Sequence, residues 1–272
     1  MAVLIVIFVV AIVFFMLYVF STKCRAGHPG LTGLRKYAYA HRGLHGGGVP
    51  ENSMAAFRKA KDAGYGIELD IHLMADGNLA VIHDASLRRT AGKEIFIEDL
   101  TTEQLQEYRL ENTEETIPEF RQVLELYAGA APLIVELKSE RNNYAALCKA
   151  ACDMLDSYDG AYCVESFDPR CIRWLRKNRP DVIRGMLTEN YFATPGSKVP
   201  WHLKVVLKSQ MLNFLLRPDF VAYRFRDHKA FSNLLCRKLW KVQGVAWTLR
   251  NMQEYNEAVK DGWIPIFENI LP

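Results

Sequence analysis

From residue 37 onwards, short apolar runs alternate with segments of helical periodicity. The runs are rich in Val, Ile, Leu, Tyr and Phe, which is typical of strands. The eight predicted strands are Tyr37–His41, Ile67–His72, Leu133–Lys138, Tyr162–Phe167, Val182–Leu187, Phe220–Arg224, Val245–Thr248 and Trp263–Phe267. Eight strands with helical crossovers over residues 37–272 predict a (β/α)8 barrel. An open doubly wound sheet is the alternative architecture.

Local signals also mark where two of the crossover helices begin and end. Asn52 or Ser53 can cap a helix that stops at Gly64. Pro118 suits the first turn of a helix that ends near Gly129. We therefore expect one helix after the first strand and one before the third.

One interval is too long for a simple crossover, since about 60 residues separate the second and third predicted strands. Asp76-Gly77 is a turn signal, and a short apolar run, Leu79–His83, follows it. We therefore predict an insertion over about residues 73–117. It should lie on the barrel face that carries the carboxyl ends of the strands.

The first twenty residues differ from the rest of the chain. Met1–Phe20 has no charged side chain, and fifteen of its residues are Val, Ile, Leu or Phe. As a helix it would rise about 30 Å, the thickness of the hydrocarbon core of a bilayer. We predict a transmembrane anchor over residues 1–22 and a linker over residues 23–36. A cleaved signal peptide is the alternative, but the segment lacks its basic start and small-residue cleavage site.

Basic residues follow the apolar segment at Lys23, Arg25, Arg35 and Lys36. The positive-inside rule then predicts a single-pass membrane protein with its large domain on the cytoplasmic side. The six cysteines show no CxxC pairing typical of a metal site, and Cys148 and Cys152, which share a helix face, are expected to be buried thiols.

Composition and charge narrow the range of partners. With 50% hydrophobic and 24% charged residues, the 272-residue chain is neither disordered nor a disulfide scaffold. The net charge is +3, but residues 170–241 carry 16 Lys and Arg against 4 Asp and Glu, or +12, which leaves −9 elsewhere. This basic half either faces anionic lipid or phosphate, or is simply a solvated surface. No nucleic-acid module and no sign of an obligate protein partner is present.

Charged residues end several of the predicted strands, where the active sites of (β/α)8 barrels lie. Glu68 and Asp70 lie two positions apart on the second strand, and Glu136 and Lys138 do so on the third. Alternate residues of a strand share a face, so each pair should project together into the barrel. Buried charges are costly without a compensating ion or ligand. Three carboxylates without a nearby cysteine suit Mg²⁺ or Ca²⁺.

Two histidines and two cations accompany these carboxylates. His41-Arg42 ends the first strand, and His83 ends the short run after the second. Arg42 and Lys138 suit a phosphate, and the imidazoles have pKa values near working pH. This combination of residues is typical of a site that cleaves a phosphate ester, with the histidines as proton donor and acceptor. The alternative is a set of ion pairs at the barrel rim.

These residues carry a family resemblance. The motifs are HRG (41–43), PENS (50–53), GxELDI (66–71), DG (76–77), VIHD (81–84), LxRT (87–90), VELK (135–138) and WTLR (247–250). In this order and spacing they resemble the glycerophosphodiester phosphodiesterase family over residues 37–272. The resemblance implies a (β/α)8 barrel with an insertion after strand two. It also implies a divalent metal and a small glycerophosphodiester substrate, which would yield glycerol 3-phosphate and an alcohol.

The resemblance also implies a role for each matching residue. His41 and His83 would be the general acid and base. Glu68, Asp70 and Glu136 would hold the metal, and Arg42 and Lys138 would bind the phosphate. Trp247 would line the substrate pocket, and Glu51 would support the site. Asp84 either orients His83 or forms a turn. The last strand departs from the family pattern, so Glu268 either faces the site or only ends the strand.

Three functions follow from these observations. The first is a membrane-anchored, metal-dependent glycerophosphodiesterase. The second is a lysophospholipase D that acts on lysolipids in the bilayer, which the anchor and the apolar 200–216 segment suggest. The third is a membrane-tethered protein that binds phosphate headgroups without turnover, against which the two histidines argue.

Overall fold

Eight parallel strands close into a barrel in the computed structural model, which describes residues 1–197 and 199–272. The described strands are β1 Tyr39–His41, β2 Gly66–Leu73, β3 Leu79–Val81, β4 Leu133–Leu137, β5 Tyr162–Ser166, β6 Arg184–Thr188, β7 Phe220–Arg224, β8 Gln243–Leu249 and β9 Ile264–Phe267. The pairing order is β1-β9-β8-β7-β6-β5-β4-β2, and a β1–β2 pairing closes the ring. β3 pairs antiparallel to β2 outside the barrel. The predicted (β/α)8 barrel is confirmed, and an open sheet is excluded.

Helices cover the outside of the barrel. The α-helices described are α1 Ala2–Ser21, α2 Leu31–Leu34, α3 Met54–Asp62, α4 Arg88–Ala91, α5 Phe120–Tyr127, α6 Tyr144–Leu155, α7 Pro169–Asn178, α8 Trp201–Lys208, α9 Asn213–Leu216, α10 Phe231–Leu234 and α11 Met252–Lys260. Of these, α2 lies at the amino end of the barrel and α4 lies in the insertion. Ser53 is the residue that caps α3, because its hydroxyl accepts a hydrogen bond from the amide of Ala56.

The expected position of Pro118 in a first helical turn is wrong. α5 begins two residues later, at Phe120, with Glu119 as its cap. The carbonyl of Pro118 accepts a hydrogen bond from the amide of Val81, and Glu119 forms a bridge with Ala80. The chain is therefore held extended beside β3 until the helix begins.

Several strand ends also differ from the predicted ones by one or two residues. The backbone at Tyr37 and Val182 is still folded into turns, with amides bonded to the carbonyls of Leu34 and Arg179. β1 and β6 therefore begin later than predicted, at Tyr39 and Arg184. Short-range turn hydrogen bonds, which the apolar pattern does not reveal, decide these boundaries.

Strand alternation divides the side chains into two layers. On β2, Ile67, Leu69 and Ile71 pack outwards against the helices in the main core cluster. Glu68 and Asp70 occupy the alternate, inward positions, and both are almost fully buried. The inward side chains at the other end of the barrel are apolar and form a second cluster, which includes Tyr39, Ile134, Phe220, Val245 and Ile266. The polar site is therefore confined to the carboxyl ends of the strands.

Residues 23–36, predicted to be a linker, pack against the amino end of the barrel. Leu31 and Leu34 of α2 are buried in the cluster that fills this end. Arg25 forms an ion pair with the buried carboxylate of Asp219, and its amide bonds to the carbonyl of Pro218. The segment thus attaches α1 firmly to the barrel.

α1 lies along the flank of the barrel. Its last residue is next to the amino end of the barrel, and its earlier residues extend towards the carboxyl end of the barrel. Arg25, just after α1, lies beside Asp219, which immediately precedes β7. The rings of Tyr18 and Phe15 stack on Phe231, which follows the carboxyl end of β7. The rest of α1 therefore projects beyond the carboxyl-end face. α1 is long and apolar enough to span a membrane, and none of its residues is buried.

The insertion after β2 packs around an apolar cluster of its own. It contains β3, α4 and two 3₁₀ helices, Ile97–Asp99 and Thr102–Glu107. Ile82, Leu87 and Leu105 are among the buried residues of this cluster. The insertion thereby carries His83 to the rim of the barrel.

Candidate active site

Three carboxylates converge inside the carboxyl end of the barrel. β2 and β4 pair in a register that sets Asp70 beside Glu136, and Glu68 lies two residues before Asp70 on the same face. One oxygen of each carboxylate lies within 4.8 Å of the others. All three side chains are buried. The strands themselves, and not flexible loops, hold this cluster.

Lysine and arginine side chains surround the cluster. The Lys138 ammonium lies 3.0 Å from Asp70 Oδ1 and 2.7 Å from Glu136 Oε1. Arg42 Nε lies 3.2 Å from Asp70 Oδ2, to which the Asn52 amide also donates a hydrogen bond. Burial alone would raise the pKa of Asp70, but the charges of Lys138, His83 and Arg42 and the hydrogen bond from Asn52 together outweigh burial, and the pKa is well below its usual range. Asp70 is thus ionised at neutral pH.

The other two carboxylates, Glu68 and Glu136, have too little positive charge nearby to offset the effect of burial. Burial raises the pKa of Glu68 well above its usual value, and the charges of Asp70 and Glu136 raise it further. Burial also raises the pKa of Glu136, against the opposing charge of Lys138. A divalent cation at their convergent oxygens would supply the missing charge. An all-carboxylate donor set fits a hard cation such as Mg²⁺ or Ca²⁺.

His41 is held by the last strand. Its Nδ1 lies 2.7 Å from Glu268 Oε2, and its Nε2 lies 3.8 Å from Glu68 Oε2. A hydrogen bond from Nδ1 to the carboxylate leaves Nε2 facing the carboxylate cluster. Burial lowers the pKa of His41 to about 4, although Glu268 opposes this shift. Of the two alternatives left by the sequence, Glu268 therefore faces the site.

His83 is oriented in the same way from the insertion. Its Nδ1 lies 2.6 Å from Asp84 Oδ1. The hydrogen bond with His83 and the contact with Arg89 keep the pKa of Asp84 well below its usual range. Arg89 also binds Glu51, and Glu51 in turn binds Arg42. Glu51 thus connects the two halves of the site, and of the two alternatives for Asp84 the structure shows the contact with His83.

The backbone at Arg42 and Gly43 shapes the first loop. Both residues have positive φ, +54° and +81°, in the left-handed region. A Cβ atom on Gly43 would lie 2.8 Å from the carbonyl carbon of Ala56 in α3. The glycine therefore permits the tight turn that points the Arg42 side chain into the barrel.

A cavity of about 400 Å³ opens beside the histidine from β1. It is lined by His41, Arg42, Arg224, Arg226, Trp247, Thr248, Arg250, Asn251 and Glu254. The Trp247 ring packs edge-on against Phe167, and its indole nitrogen is buried without a hydrogen-bond partner. Trp247 therefore lies beside the site, and its indole N–H has no hydrogen-bond partner.

The stretch of sequence that contains this site matches a known protein family. The model described as the glycerophosphoryl diester phosphodiesterase family matches residues 41–268. The chain belongs to this family. The match begins at His41 and ends at Glu268, the two residues that the structure joins by a hydrogen bond.

Relatives of this phosphodiesterase family extend over most of the chain. A glycerophosphodiester phosphodiesterase from Caldanaerobacter subterraneus is 30% identical over 84% of this chain and 92% of its own length. The human glycerophosphodiester phosphodiesterase 1 is 29% identical over 89% of this chain and 81% of its own. An Oleispira antarctica phosphodiesterase, solved with its product sn-glycerol-3-phosphate, has a TM-score of 0.68 at 21% identity, over 85% of this chain and 92% of that one. This last likeness supports the fold.

Three polar residues at this phosphodiesterase site received no role from the sequence. Asn52 and Arg89 lie within the PENS and LxRT motifs and support Asp70 and Asp84. Glu165 on β5 lies in register beside Glu136 and is buried. Burial, and then the charge of Glu136, raises its pKa well above the usual value. Its position near the end of an apolar strand was the signal that could have identified it.

Two further histidines lie near the site. His72 is buried, with Nδ1 2.8 Å from Glu98 of the insertion and Nε2 3.2 Å from the carbonyl of His83. It therefore holds the insertion and the loop that carries His83. His45 lies close to His41 and Glu268, with its Nε2 buried and without a partner.

Proposed function

We propose that the chain hydrolyses glycerophosphodiesters to glycerol 3-phosphate and an alcohol in a metal-dependent reaction. The observation that carries this proposal is the pair of histidine–carboxylate contacts beside the buried carboxylate cluster. His41 is held by Glu268 and His83 by Asp84, each through Nδ1. Each ring thus keeps its Nε2 free to exchange a proton. The substrate class is supported by the relatives, which are named glycerophosphodiester phosphodiesterases and match this chain over most of their length.

Binding would precede chemistry through the charged residues at the barrel mouth. Glu68, Asp70 and Glu136 would hold a divalent cation, Mg²⁺ or Ca²⁺, which when bound stabilises negative charge on the phosphoryl oxygens. Arg42 and Lys138 would bind the phosphate and orient it. Trp247 would contact the organic part of the substrate, since it lines the cavity next to His41.

The two histidines would then move the protons. One removes the proton from the free glycerol hydroxyl, which attacks phosphorus. The other protonates the oxygen of the leaving alcohol as its bond to phosphorus breaks. Water then opens the cyclic phosphate, with the two roles exchanged, and glycerol 3-phosphate remains. Each proton-transfer role typically contributes about 10²–10⁴ in rate.

The test is a panel of glycerophosphocholine, glycerophosphoethanolamine and glycerophosphoglycerol with Mg²⁺ or Ca²⁺, with release of glycerol 3-phosphate as the readout. His41→Ala and His83→Ala should each abolish release and leave metal binding intact. The exposed His202→Ala is the matched control and should retain activity. No release from any diester by the folded chain would refute the proposal, and stable binding of intact diester would favour a headgroup-binding protein.

A lysophospholipase D is the second candidate function. The observation in its favour is the course of α1, which leaves the barrel on the same face as the site. A membrane on that side would present lysolipids to the mouth. Release of lysophosphatidic acid and free alcohol from lysophospholipids, at rates that exceed those of the soluble diesters, would favour this function.

The anchor and its orientation complete the proposal. α1 is proposed to span the membrane as the single pass of residues 1–22, with residues 37–272 in the cytoplasm by the positive-inside rule. A reporter that is active only in the cytoplasm, fused after Pro272, should be active. A reporter that is active only outside should not be. The reverse result would show the opposite orientation.

A further inference from the structure

The course of α1 constrains where a bilayer lies relative to the barrel. α1 has 20 residues, which rise about 30 Å and only just cross a hydrocarbon core. The last two turns of this helix touch the barrel: Phe15 and Tyr18 stack on Phe231, and Phe20 packs against Phe214. If all of α1 is needed to span the bilayer, the barrel surface at Phe231 lies inside the hydrocarbon core. Ser21 is six residues beyond Phe15, a rise of about 9 Å along the helix, so Phe231 would lie about 9 Å inside the boundary of that core.

The surface next to this contact is apolar and exposed. We call it the rim patch: Phe192, Trp201, Val205, Phe231 and Leu234. Trp201 is 73% exposed and Phe231 is 53% exposed. The hydroxyl of Ser232 in α10 donates a hydrogen bond to the carbonyl of Lys208 in α8, which joins the two helices that carry most of the patch. The patch is therefore one surface beside α1.

α8 resembles α1 in having no buried residue, although Leu207 of α8 packs against the edge of the main core. Among the described helices of eight residues or more, only α1 and α8 have no buried residue. α8 is nevertheless apolar at Trp201, Leu203 and Val205. A large exposed apolar surface on one side of a barrel marks a contact with a membrane or another protein.

Charge favours a lipid surface over a protein partner. Lys204 and Lys208 both lie over the ring of Phe192, with their ammonium groups 5.9 and 5.6 Å from its centre. Long basic side chains beside apolar ones are typical of an interface with anionic lipid. Between residues 190 and 241 the only carboxylates are Asp219 and Asp227, and each is paired with an arginine. This sector therefore offers cations without free anions.

We propose that the rim patch inserts into the interface of an anionic bilayer beside α1, so that the mouth of the barrel faces the lipid headgroups. The inference rests on the proposed spanning role of α1. It adds that the barrel is not merely tethered but docked in a fixed orientation, with α8 and α10 at the depth of the last turns of α1. Interfacial elements of this kind commonly lie about 5–10 Å deep, which agrees with the depth obtained from α1.

Nitroxide labels on the full chain, reconstituted into vesicles that contain phosphatidylglycerol, test the docking. The six native cysteines are all buried, so cysteines introduced as Trp201→Cys and Phe231→Cys direct the label. Ile7→Cys reports the span itself. Val259→Cys on α11, an exposed apolar site near the amino end of the barrel, is the matched control. Collision with oxygen measures lipid exposure, and collision with a water-soluble nickel complex measures exposure to water.

The expected result is a ratio of oxygen to nickel accessibility at positions 201 and 231 that is several-fold above that at 259. Lys204→Glu with Lys208→Glu should move the label at 231 towards the value in water. Water-like labels at 201 and 231 with a lipid-like label at 7 would overturn the docking alone. A water-like label at 7 would overturn the span and the docking together. Protection from both reagents, with spin–spin broadening that depends on protein density, would show a second copy there and also overturn the proposal.

Discussion

The contact between Glu268 and His41 allows a sharp test of the proposed mechanism. Glu268→Gln keeps the size and shape of the side chain but removes its charge. The carboxylate lies 2.7 Å from His41 Nδ1, and both side chains are largely buried. The substitution should therefore leave the fold intact and weaken one interaction, the stabilisation of a protonated imidazole by the carboxylate.

The magnitude follows from the type of bond. A hydrogen bond to a charged group contributes about 1.5–3 kcal/mol, and each 1.36 kcal/mol changes a rate about tenfold. We expect kcat to fall about 10- to 150-fold, with little change in KM, because Glu268 does not touch the proposed phosphate site. The ion pair of Glu268 with Arg250 is a minor contribution, since Arg250 is 57% exposed.

The pH profile supplies an independent readout. Glu268 raises the pKa of His41 against the effect of burial. Its replacement should lower that pKa further and move the corresponding limb of the kcat profile to lower pH. Glu254→Gln, at a carboxylate that lines the same cavity and does not contact a histidine, is the control. Unchanged kcat and profile in Glu268→Gln, with the control also unchanged, would refute the positioning role of Glu268.

Three further predictions concern the metal, the first loop and acid stability. Asp70→Asn should weaken Mg²⁺ or Ca²⁺ binding, measured by calorimetry, by at least the roughly 10–100-fold that is typical for losing an outer-shell partner; unchanged affinity would place the metal elsewhere. Gly43→Ala should lower the free energy of unfolding by about 1–3 kcal/mol, since its Cβ would approach Ala56 to 2.8 Å at positive φ; chemical denaturation that matches wild type would contradict this. The pKa values of His41, about 4 against 6.5, and Glu268, about 2 against 4.5, are both lowered by folding. The unfolded chain therefore binds protons first, so stability should fall from pH 6.5 to 4 because of His41 and from 4.5 to 2 because of Glu268. The melting temperatures of wild type and Glu268→Gln should differ at neutral pH and become equal in acid. A difference that stays constant with pH would contradict the lowered pKa of Glu268.

Strand alternation made much of the site predictable from the sequence. A strand exposes alternate residues to one face, so Glu68 and Asp70 had to project together, and so did Glu136 and Lys138. Charges at inward positions of an apolar strand need a partner, and that requirement indicated a metal and phosphate site. The structure brings these four side chains together at the carboxyl end of the barrel.

The supporting contacts were not predictable in the same way. Glu268 lies 227 residues from His41 along the chain, and only closure of the barrel between β9 and β1 makes them neighbours. Arg89 reaches Glu51 because the insertion folds back over the mouth. The sequence left the role of Glu268 open and gave Arg89 none, since periodicity carries no information on pairs so far apart.

The sequence alone determined the eight-stranded pattern, the apolar first helix and the charged strand ends, because each depends on residues only a few positions apart. Tertiary structure alone decided that Glu268 holds His41 and on which side of the barrel α1 emerges. Arg25 bound to Asp219 at one end and Phe231 stacked on Tyr18 at the other set the direction of α1. Hydropathy shows that a helix is apolar enough to cross a membrane, but only packing against the barrel sets the face of the barrel from which that helix projects.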